Sequence, residues 1–437
     1  MTFHGLTAVV DAYFLGAYIG TDALAAVALT FPIQTFLFAI SNLFSKGMAS
    51  LVARKLGEND LPRASEIFVS AYIVLIVVFL GMSVIYWIAG KSLIAFIIGD
   101  AETLIVLCDQ YVRVLVFFSP VIGLMILNND ALRSEGRLRF MSGVMLGSTF
   151  INVFLDYLFI AKLGWGVEAS AYATIIGYGT ALSAVLIYRY CGHAYLSPIF
   201  GGWSSFWRDV VNIVSLGLPN SLTLIGMAFL VAAINYNLKV WSGNTYMDAV
   251  AAYGVVSRLM TFVMFPMVGM TIAFQSILGN NYGAGEYGRA KETIKFCIRS
   301  VFIYCTIVQT VFWGISYASV GSMFVDDPMV KEQISVMLRY VSAAFFTVGP
   351  VAILAAMFQS LGDARSAMVL GPSKIFLFSI PLIFILPFFI GRRGILLAIP
   401  IADFMFFLLA FVVLKRNTRY SNVTNWVNLG RISNSGA

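Results

Sequence analysis

"INVFLDYLFI", residues 151–160, is the stretch on which the reading of this chain turns. Working outward, Phe140 to Ala161 is a run of 22 residues in which Asp156 is the only charge. As a helix it would cover about 33 Å at 1.5 Å per residue, enough to cross a hydrocarbon core of roughly 30 Å. A carboxylate in the middle of such a span costs about 2.5–3.5 kcal/mol on insertion scales and faces the interior of a bundle rather than lipid.

The rest of the composition agrees with a membrane chain. Of 437 residues, 60% are apolar and only 11% charged, with a mean hydropathy of +0.88. A water-soluble protein carries about a quarter charged residues. Apolar runs such as "FVSAYIVLIVVFLGMSVIYWIAG", "YATIIGYGTALSAVLIYRY" and "GILLAIPIADFMFFLLAFVVL" recur along the chain. Their length, with no ten-residue alternation, predicts helices rather than an outer-membrane barrel. Spans are predicted near 2–20, 25–53, 63–89, 104–133, 138–161 and 167–190. A second set follows near 211–238, 249–280, 291–320, 334–360, 366–390 and 394–414.

The charge of +7 is distributed as an orientation signal, not as a nucleic-acid surface. Arg54, Lys55, Arg63, Arg133, Arg137, Arg139, Arg189, Arg208, Arg289, Lys291, Arg365, Lys415, Arg416 and Arg419 fall in alternate loops, which should face the cytoplasm with both termini. The other loops are poor in bases, Arg392–Arg393 excepted. No basic n-region marks a cleavable signal peptide. Cys108, Cys191, Cys297 and Cys305 form neither a disulfide framework nor a metal spacing, and His4 and His193 are too far apart for a shared metal. No HExxH, GxSxG or Walker A pattern supports enzyme chemistry or ATP-driven pumping, and no cofactor is expected.

Similarity within the chain recurs at an offset of 226 residues. "TDALAAVAL" (21–29) matches "MDAVAAYGV" (247–255), "LGENDLPRA" (56–64) matches "YGAGEYGRA" (282–290), and "LRSEGRLR" (132–139) matches "FQSLGDAR" (358–365). The expected fold is therefore an all-α polytopic membrane protein, with twelve transmembrane helices in two six-helix pseudo-symmetric lobes. The expected domains are an N-terminal lobe over 1–200, a cytoplasmic linker over 201–213, a C-terminal lobe over 214–415 and a cytoplasmic tail over 416–437. Parallel six-helix repeats are an architecture of secondary transporters, which open a central cavity alternately to each side.

Several blocks carry a family resemblance: "VVDAYFLGAYIGTDALAAVALTFP", "SLVARKLGENDLPRA", "LRSEGRLR", "NVFLDYLFI", "GWGVEASAYAT" and "ILGNNYGAGEYGRAK". In this order, over nearly the whole chain, they resemble the multidrug and toxic compound extrusion (MATE) family. The resemblance implies a secondary active antiporter in the cell (inner) membrane, exporting amphipathic organic cations in exchange for protons or sodium. Its acidic pattern is similar to the DinF-like branch, whose first-helix aspartate matches Asp11. The fifth-helix asparagine and aspartate of that branch match Asn152 and Asp156, and its sixth-helix threonine matches Thr174. The NorM-like glutamate of helix seven and aspartate of helix ten have no counterpart here. One feature departs from the pattern: only "MTFHGLTAVV" precedes Asp11, without the proline that bends the family's first helix.

The residues themselves leave two readings of the acids. Asn152 and Asp156 are spaced i, i+4 and share a helix face. Asp11 stands nine residues before Gly20, about 14 Å into its span. Asp11, Asn152, Asp156 and Thr174 either hold a proton or a sodium ion, through hard oxygen ligands, or merely hydrogen-bond between helices. Asn128 is a further candidate polar partner of the acids and a candidate substrate or secondary polar site. Asp403, in "IPIADFMFF", is either a substrate or secondary polar site in the second half or a packing residue. Lys46 is expected to snorkel to the inner interface, Asp130 to pair with Arg133, Arg113 and Arg339 to be structural, and His4 to be a terminal surface residue or a proton relay. The expected partners are small amphipathic cations and the bilayer, with the protein a monomer. The rival function, a flippase for lipid-linked oligosaccharide, would want a strongly basic central cavity, whereas the intramembrane charges here are mainly acidic.

Overall fold

The computed structural model describes residues 10–11, 13–98, 102–196, 205–243, 246–314 and 328–417. Among them there are helices and turns but no strand. His4, most of the tail after 416 and the first part of the 201–213 linker lie outside the described residues. So does the first part of the first predicted span, residues 2–9. Nine described helices are long and apolar enough to cross a membrane, or eleven when each of two sharply bent helix pairs is taken as one span. Large apolar side chains such as Trp87, Ile88, Phe388 and Phe389 stay exposed on these helices, as a lipid-facing surface requires.

The N-terminal unit runs to Ile225. A short helix carrying Asp11 widens into a π-helical turn at Leu15–Ile19 and stops at Gly20, whose φ of 122° only glycine adopts freely. There follow α1 (Thr21–Leu29), α2 (Phe31–Gly57), α3 (Leu61–Ile98), α4 (Glu102–Phe117), α5 (Ser119–Ser134) and α6 (Leu138–Asp156). Helix α6 passes into a second π-helical turn, Tyr157–Lys162, and α7 (Glu168–Tyr190) returns beside it. Phe68, Leu75, Phe79, Met48, Met125 and Leu127 fill the core between α2, α3 and α5.

The C-terminal unit starts at Gly226, inside α8 (Phe206–Trp241). It continues through α9 (Tyr246–Gly283), α10 (Tyr287–Gly314), α11 (Pro328–Val341) and α12 (Phe345–Ser360). After α13 (Ala364–Ser373) comes a π-helical turn, Lys374–Ser379, then α14 (Ile380–Ile385), α15 (Pro387–Ile390) and α16 (Arg392–Arg416). Its core is built around Phe274, Phe345, Met357 and Phe358 on one side and Ile334, Met337, Leu338 and Ile383 on another.

Helix boundaries repeat at the offset seen in the sequence. Helices α3 and α10 begin at Leu61 and Tyr287, α4 and α11 at Glu102 and Pro328, α5 and α12 at Ser119 and Phe345, and α6 and α13 at Leu138 and Ala364, each pair 226 residues apart. The turns repeat as well. Asn59 and Gly285, then Gly136 and Gly362, are left-handed residues at equivalent places, with φ of 58°, 74°, 76° and 80°. Each follows a helix end closed by a six-to-one hydrogen bond, such as Arg137 N–H to Leu132 O (2.9 Å) and Asp363 N–H to Phe358 O (2.8 Å).

Four predicted spans are broken among the described residues, one of them, 366–390, at Leu386 before Pro387. The expected 25–53 span divides at Thr30, where Pro32 at the start of α2 has no N–H to continue the ladder. The 104–133 span bends by 50° at Phe118, before Pro120. The 334–360 span bends by 47° at 342–344 with no proline there. Instead Gln309 of α10 supplies what the break frees: its Nε2 donates to Ala343 O (3.0 Å) and its Oε1 accepts from Phe346 N–H (3.1 Å). At the equivalent place in the first half, Ser83 Oγ of α3 donates to Val116 O (3.1 Å).

The first half of α8 belongs to the N-terminal unit by close backbone packing on α2. A Cβ on Gly217 would stand 1.7 Å from Leu43 O, and one on Gly47 would stand 1.9 Å from Ile213 O. Ser221 Oγ donates to Ala39 O (2.6 Å) one turn further along. At the start of α8, Arg63 pairs with Asp209 and reaches Ser205 Oγ at 2.5 Å.

Candidate carboxylate site in the N-terminal unit

Asp156 sits where α6 widens into its π-helical turn, and Asp11 stands one turn before the other π-helical turn. Such single wide turns free backbone groups and re-aim side chains, and they concentrate at functional places. The two turns adjoin, with the rings of Phe14 and Tyr157 6.3 Å apart. This brings the carboxyls of Asp11 and Asp156 within hydrogen-bonding range of each other. Asp156 is fully enclosed and Asp11 partly so.

The surroundings offer acceptors but few donors. Asn152, one turn before Asp156, gives its Nδ2 to Thr174 Oγ1 at 3.3 Å. Helices α6 and α7 are antiparallel and close: a Cβ on Gly177 would lie 3.1 Å from Ser148 O and 3.3 Å from Asn152 Cβ. Stepping one turn along each helix from the Asn152–Thr174 contact brings Asp156 level with Ser170. Ser170 is completely buried, and its hydroxyl has no partner among the described residues. Asp11 Oδ1, Asn152 Oδ1 and both oxygens of Asp156 also lack any donor among the described residues. Tyr111 of α4 lies within electrostatic reach of both carboxylates, and Tyr178 of α7 within reach of Asp11.

Two ionised carboxylates are acceptors only, so they cannot hydrogen-bond unless one holds a proton. Buried together without a donor they repel each other at high cost. The arrangement can therefore be satisfied in two ways: a proton shared between Asp11 and Asp156, or a hard cation held by these oxygens with Asn152, Ser170 and Thr174. Among the described residues no group of three or more His, Cys, Asp or Glu could hold a metal ion.

Asn128 lies outside this cluster, contrary to its expected place beside the acids. Its Nδ2 goes to Tyr72 OH (3.0 Å) and Leu124 O (2.9 Å), and its Oδ1 accepts from Arg189 Nε (3.0 Å). Arg189 in turn bonds Glu135 Oε1 (2.7 Å) and Leu196 O (3.0 Å), and Glu135 Oε2 accepts from Tyr195 N–H (2.6 Å). This buried network ties the segment after α7 to the end of α5. Lys46 does not snorkel; Asp130 holds its ammonium at 3.0 Å, while Arg133 pairs with the same carboxylate at 2.8 Å. A countercharge on the facing helix removes the need to reach water. Arg113 pairs with Asp109 on its own helix.

Asp403 is buried in the C-terminal unit, in an ion pair with Lys374 at 2.5 Å. The sequence reading passed over Lys374, Glu135, Ser170 and Tyr111, and it placed Arg189 in a loop, whereas Arg189 is buried in the last turn of α7. For Lys374 a signal was present: it is the only base between Ser366 and Ile390.

Comparison with known proteins gives a consistent result. The family model described as MatE matches this chain twice, over residues 5–158 and 224–385. A protein named FAD transporter from Shewanella oneidensis is 24% identical over 429 residues, covering 95% of this chain and 91% of its own. The multidrug export protein MepA of Staphylococcus aureus is 25% identical over 406 residues, covering 93% and 88%. Among solved structures, one described as MATE in the bent conformation aligns with a TM-score of 0.87 at 22% identity, covering 98% of this chain and 94% of its own. An outward-facing multidrug resistance MATE family transporter aligns at 0.85 and 22%, covering 95% and 92%.

Proposed function

The chain belongs to the MatE family of multidrug and toxic compound extrusion transporters, and from that premise we propose that it exports amphipathic small molecules by ion-coupled antiport. The observation that carries the coupling is the pair Asp11 and Asp156, a half-buried and a fully enclosed carboxyl facing one another with no donor for either oxygen of Asp156 among the described residues. A proton or a sodium ion relieves this arrangement when it binds and restores it when it leaves. Asn152 and Thr174 orient the Asp156 side of the site, and alternating access exposes it to each face of the membrane in turn. Inward movement of the ion supplies about 2.3 kcal/mol per charge per 100 mV, plus the concentration term. The alternate-loop bases favour an inner-membrane orientation with both termini cytoplasmic.

The primary substrates are amphipathic organic cations. A second reading, amphiphiles carrying an acidic group, is favoured by one observation: a relative similar over 95% of this chain is named for FAD.

The test is export of a fluorescent cation from everted vesicles under separately imposed proton and sodium gradients, with Asp156→Asn beside the wild type. Export driven by one gradient and lost in the variant supports the proposal. Export unaffected by Asp156→Asn removes Asp156 from the coupling site, and the absence of export under either gradient removes the antiport itself.

A further inference from the structure

Lys374 lies ten residues into the span Ala364–Ile390, about 15 Å along the helix. Asp403 lies near the middle of α16, eleven residues after Arg392. The two form an ion pair at 2.5 Å deep inside the C-terminal unit. Charges at this depth are expensive and mark substrate or ion pathways. Lys374 opens the π-helical turn that follows Pro372, and Ser379 Oγ closes that turn on Lys374 O (2.8 Å).

The repeat shows what this place in the fold needs for packing alone. The residues 226 positions earlier are Ser148 and Gly177, and they too meet across the equivalent helices: a Cβ on Gly177 would lie 3.1 Å from Ser148 O. A neutral contact therefore suffices to join these helices in the first half. In the second half a lysine and an aspartate replace it, at an energetic cost that packing does not explain.

The exposure of the two partners decides what can approach. The Asp403 side chain is 5% exposed and that of Lys374 is 25% exposed. The accessible member is thus the cation. Its ammonium has three donors, and among the described residues Asp403 is its only ionic partner. A lipid headgroup at the membrane rim is too far from a group about 15 Å into its span.

We propose that Lys374 is the recognition point in the C-terminal unit for a phosphate or carboxylate on an amphiphilic substrate, with Asp403 holding the ammonium in place and competing for it. The inference deepens the export reading above and rests on it.

The test uses two probes that differ by one phosphate, riboflavin 5′-phosphate and riboflavin. Binding to the full chain in phosphatidylcholine nanodiscs is read by flavin fluorescence. The wild type is expected to prefer the phosphorylated probe at least tenfold, about 1.4 kcal/mol. Lys374→Arg keeps the preference, and Asp403→Asn strengthens it. Lys374→Gln/Asp403→Asn, which leaves no orphaned charge, loses it. A wild type that treats the probes alike, or a double variant that keeps the preference, overturns the inference. So does loss of the preference when phosphatidylglycerol is added, which would assign the site to a lipid headgroup. Export of a fluorescent cation from everted vesicles reports the other reading separately. A wild type that exports the cation but treats the flavins alike loses only the Lys374 inference. One that prefers the phosphate yet exports nothing keeps the site and loses the export reading.

Discussion

Gly47 and Gly217 pack reciprocally, each against the carbonyl four residues before the other along an antiparallel helix pair: Gly47 on Ile213 O and Gly217 on Leu43 O. Small residues let membrane helices approach at backbone distance, where van der Waals contact replaces the missing hydrophobic drive. The clash made by an added methyl is with backbone, so no rotamer change relieves it. Gly47→Ala and Gly217→Ala should each destabilise the N-terminal unit by about 3 kcal/mol or more. Gly254→Ala and Gly269→Ala, where an added Cβ meets nothing within 4 Å, serve as controls and should leave stability unchanged or slightly raised. Melting of the purified protein in detergent checks both. Equal behaviour of the two sets would show that α2 and α8 can separate without loss.

The same helix pair shows which features were legible in the sequence. Spans and their repeat are legible in apolar runs, whereas the breaks beside Pro32 and Pro120 went unread although a proline marks each. The bend at 342–344 could not be read, because no proline marks it and the residue that bridges it, Gln309, lies more than thirty residues earlier. The site divides similarly. The face shared by Asn152 and Asp156 follows from helical spacing, whereas the meeting of Asp11 with Asp156 depends on two π-helical turns that no residue pattern announces. Arg189–Glu135 and Lys374–Asp403 are long-range pairs, and sequence marks their members only as isolated charges near or within apolar runs.

Asp156→Asn should abolish ion-coupled export while leaving the fold as stable as before, or more so. The wild-type carboxyls of Asp11 and Asp156 face each other without a donor. An asparagine amide removes one charge and presents an N–H to Asp11, a gain of about 1 kcal/mol. Melting temperature measured beside export checks this. A large loss of stability would mean that Asp156 serves as an interhelical strut.

Glu135→Ala should cost about 3–5 kcal/mol, because it leaves the Arg189 guanidinium buried beside Asn128 without its carboxylate. Glu135→Ala/Arg189→Met should recover most of that loss, since an apolar pair of similar volume carries no desolvation penalty. Tyr195 N–H loses its acceptor in both variants. Hydrogen exchange there should therefore accelerate in the single and the double variant alike, while global melting separates them. A double variant no better than the single would show that the pair is net stabilising.

Gln309 and Ser83 stand at equivalent positions of the two repeats, and each supports the break in the next bent span, but they do not carry equal loads. Gln309 serves both an orphaned carbonyl, Ala343 O, and an orphaned amide, Phe346 N–H. Ser83 shares its hydroxyl between Phe79 O of its own helix (3.0 Å) and Val116 O, which also accepts from Ser119 Oγ at 2.7 Å. Gln309→Leu keeps the volume and leaves two backbone groups unpaired, at about 1–3 kcal/mol each. Ser83→Ala leaves Val116 O still bonded, so its cost should be within about 1 kcal/mol. Melting of the two variants in one detergent makes the comparison. If both lose the same stability, the bends are set by the packing of α5 and α12 and not by the side chains that bridge them.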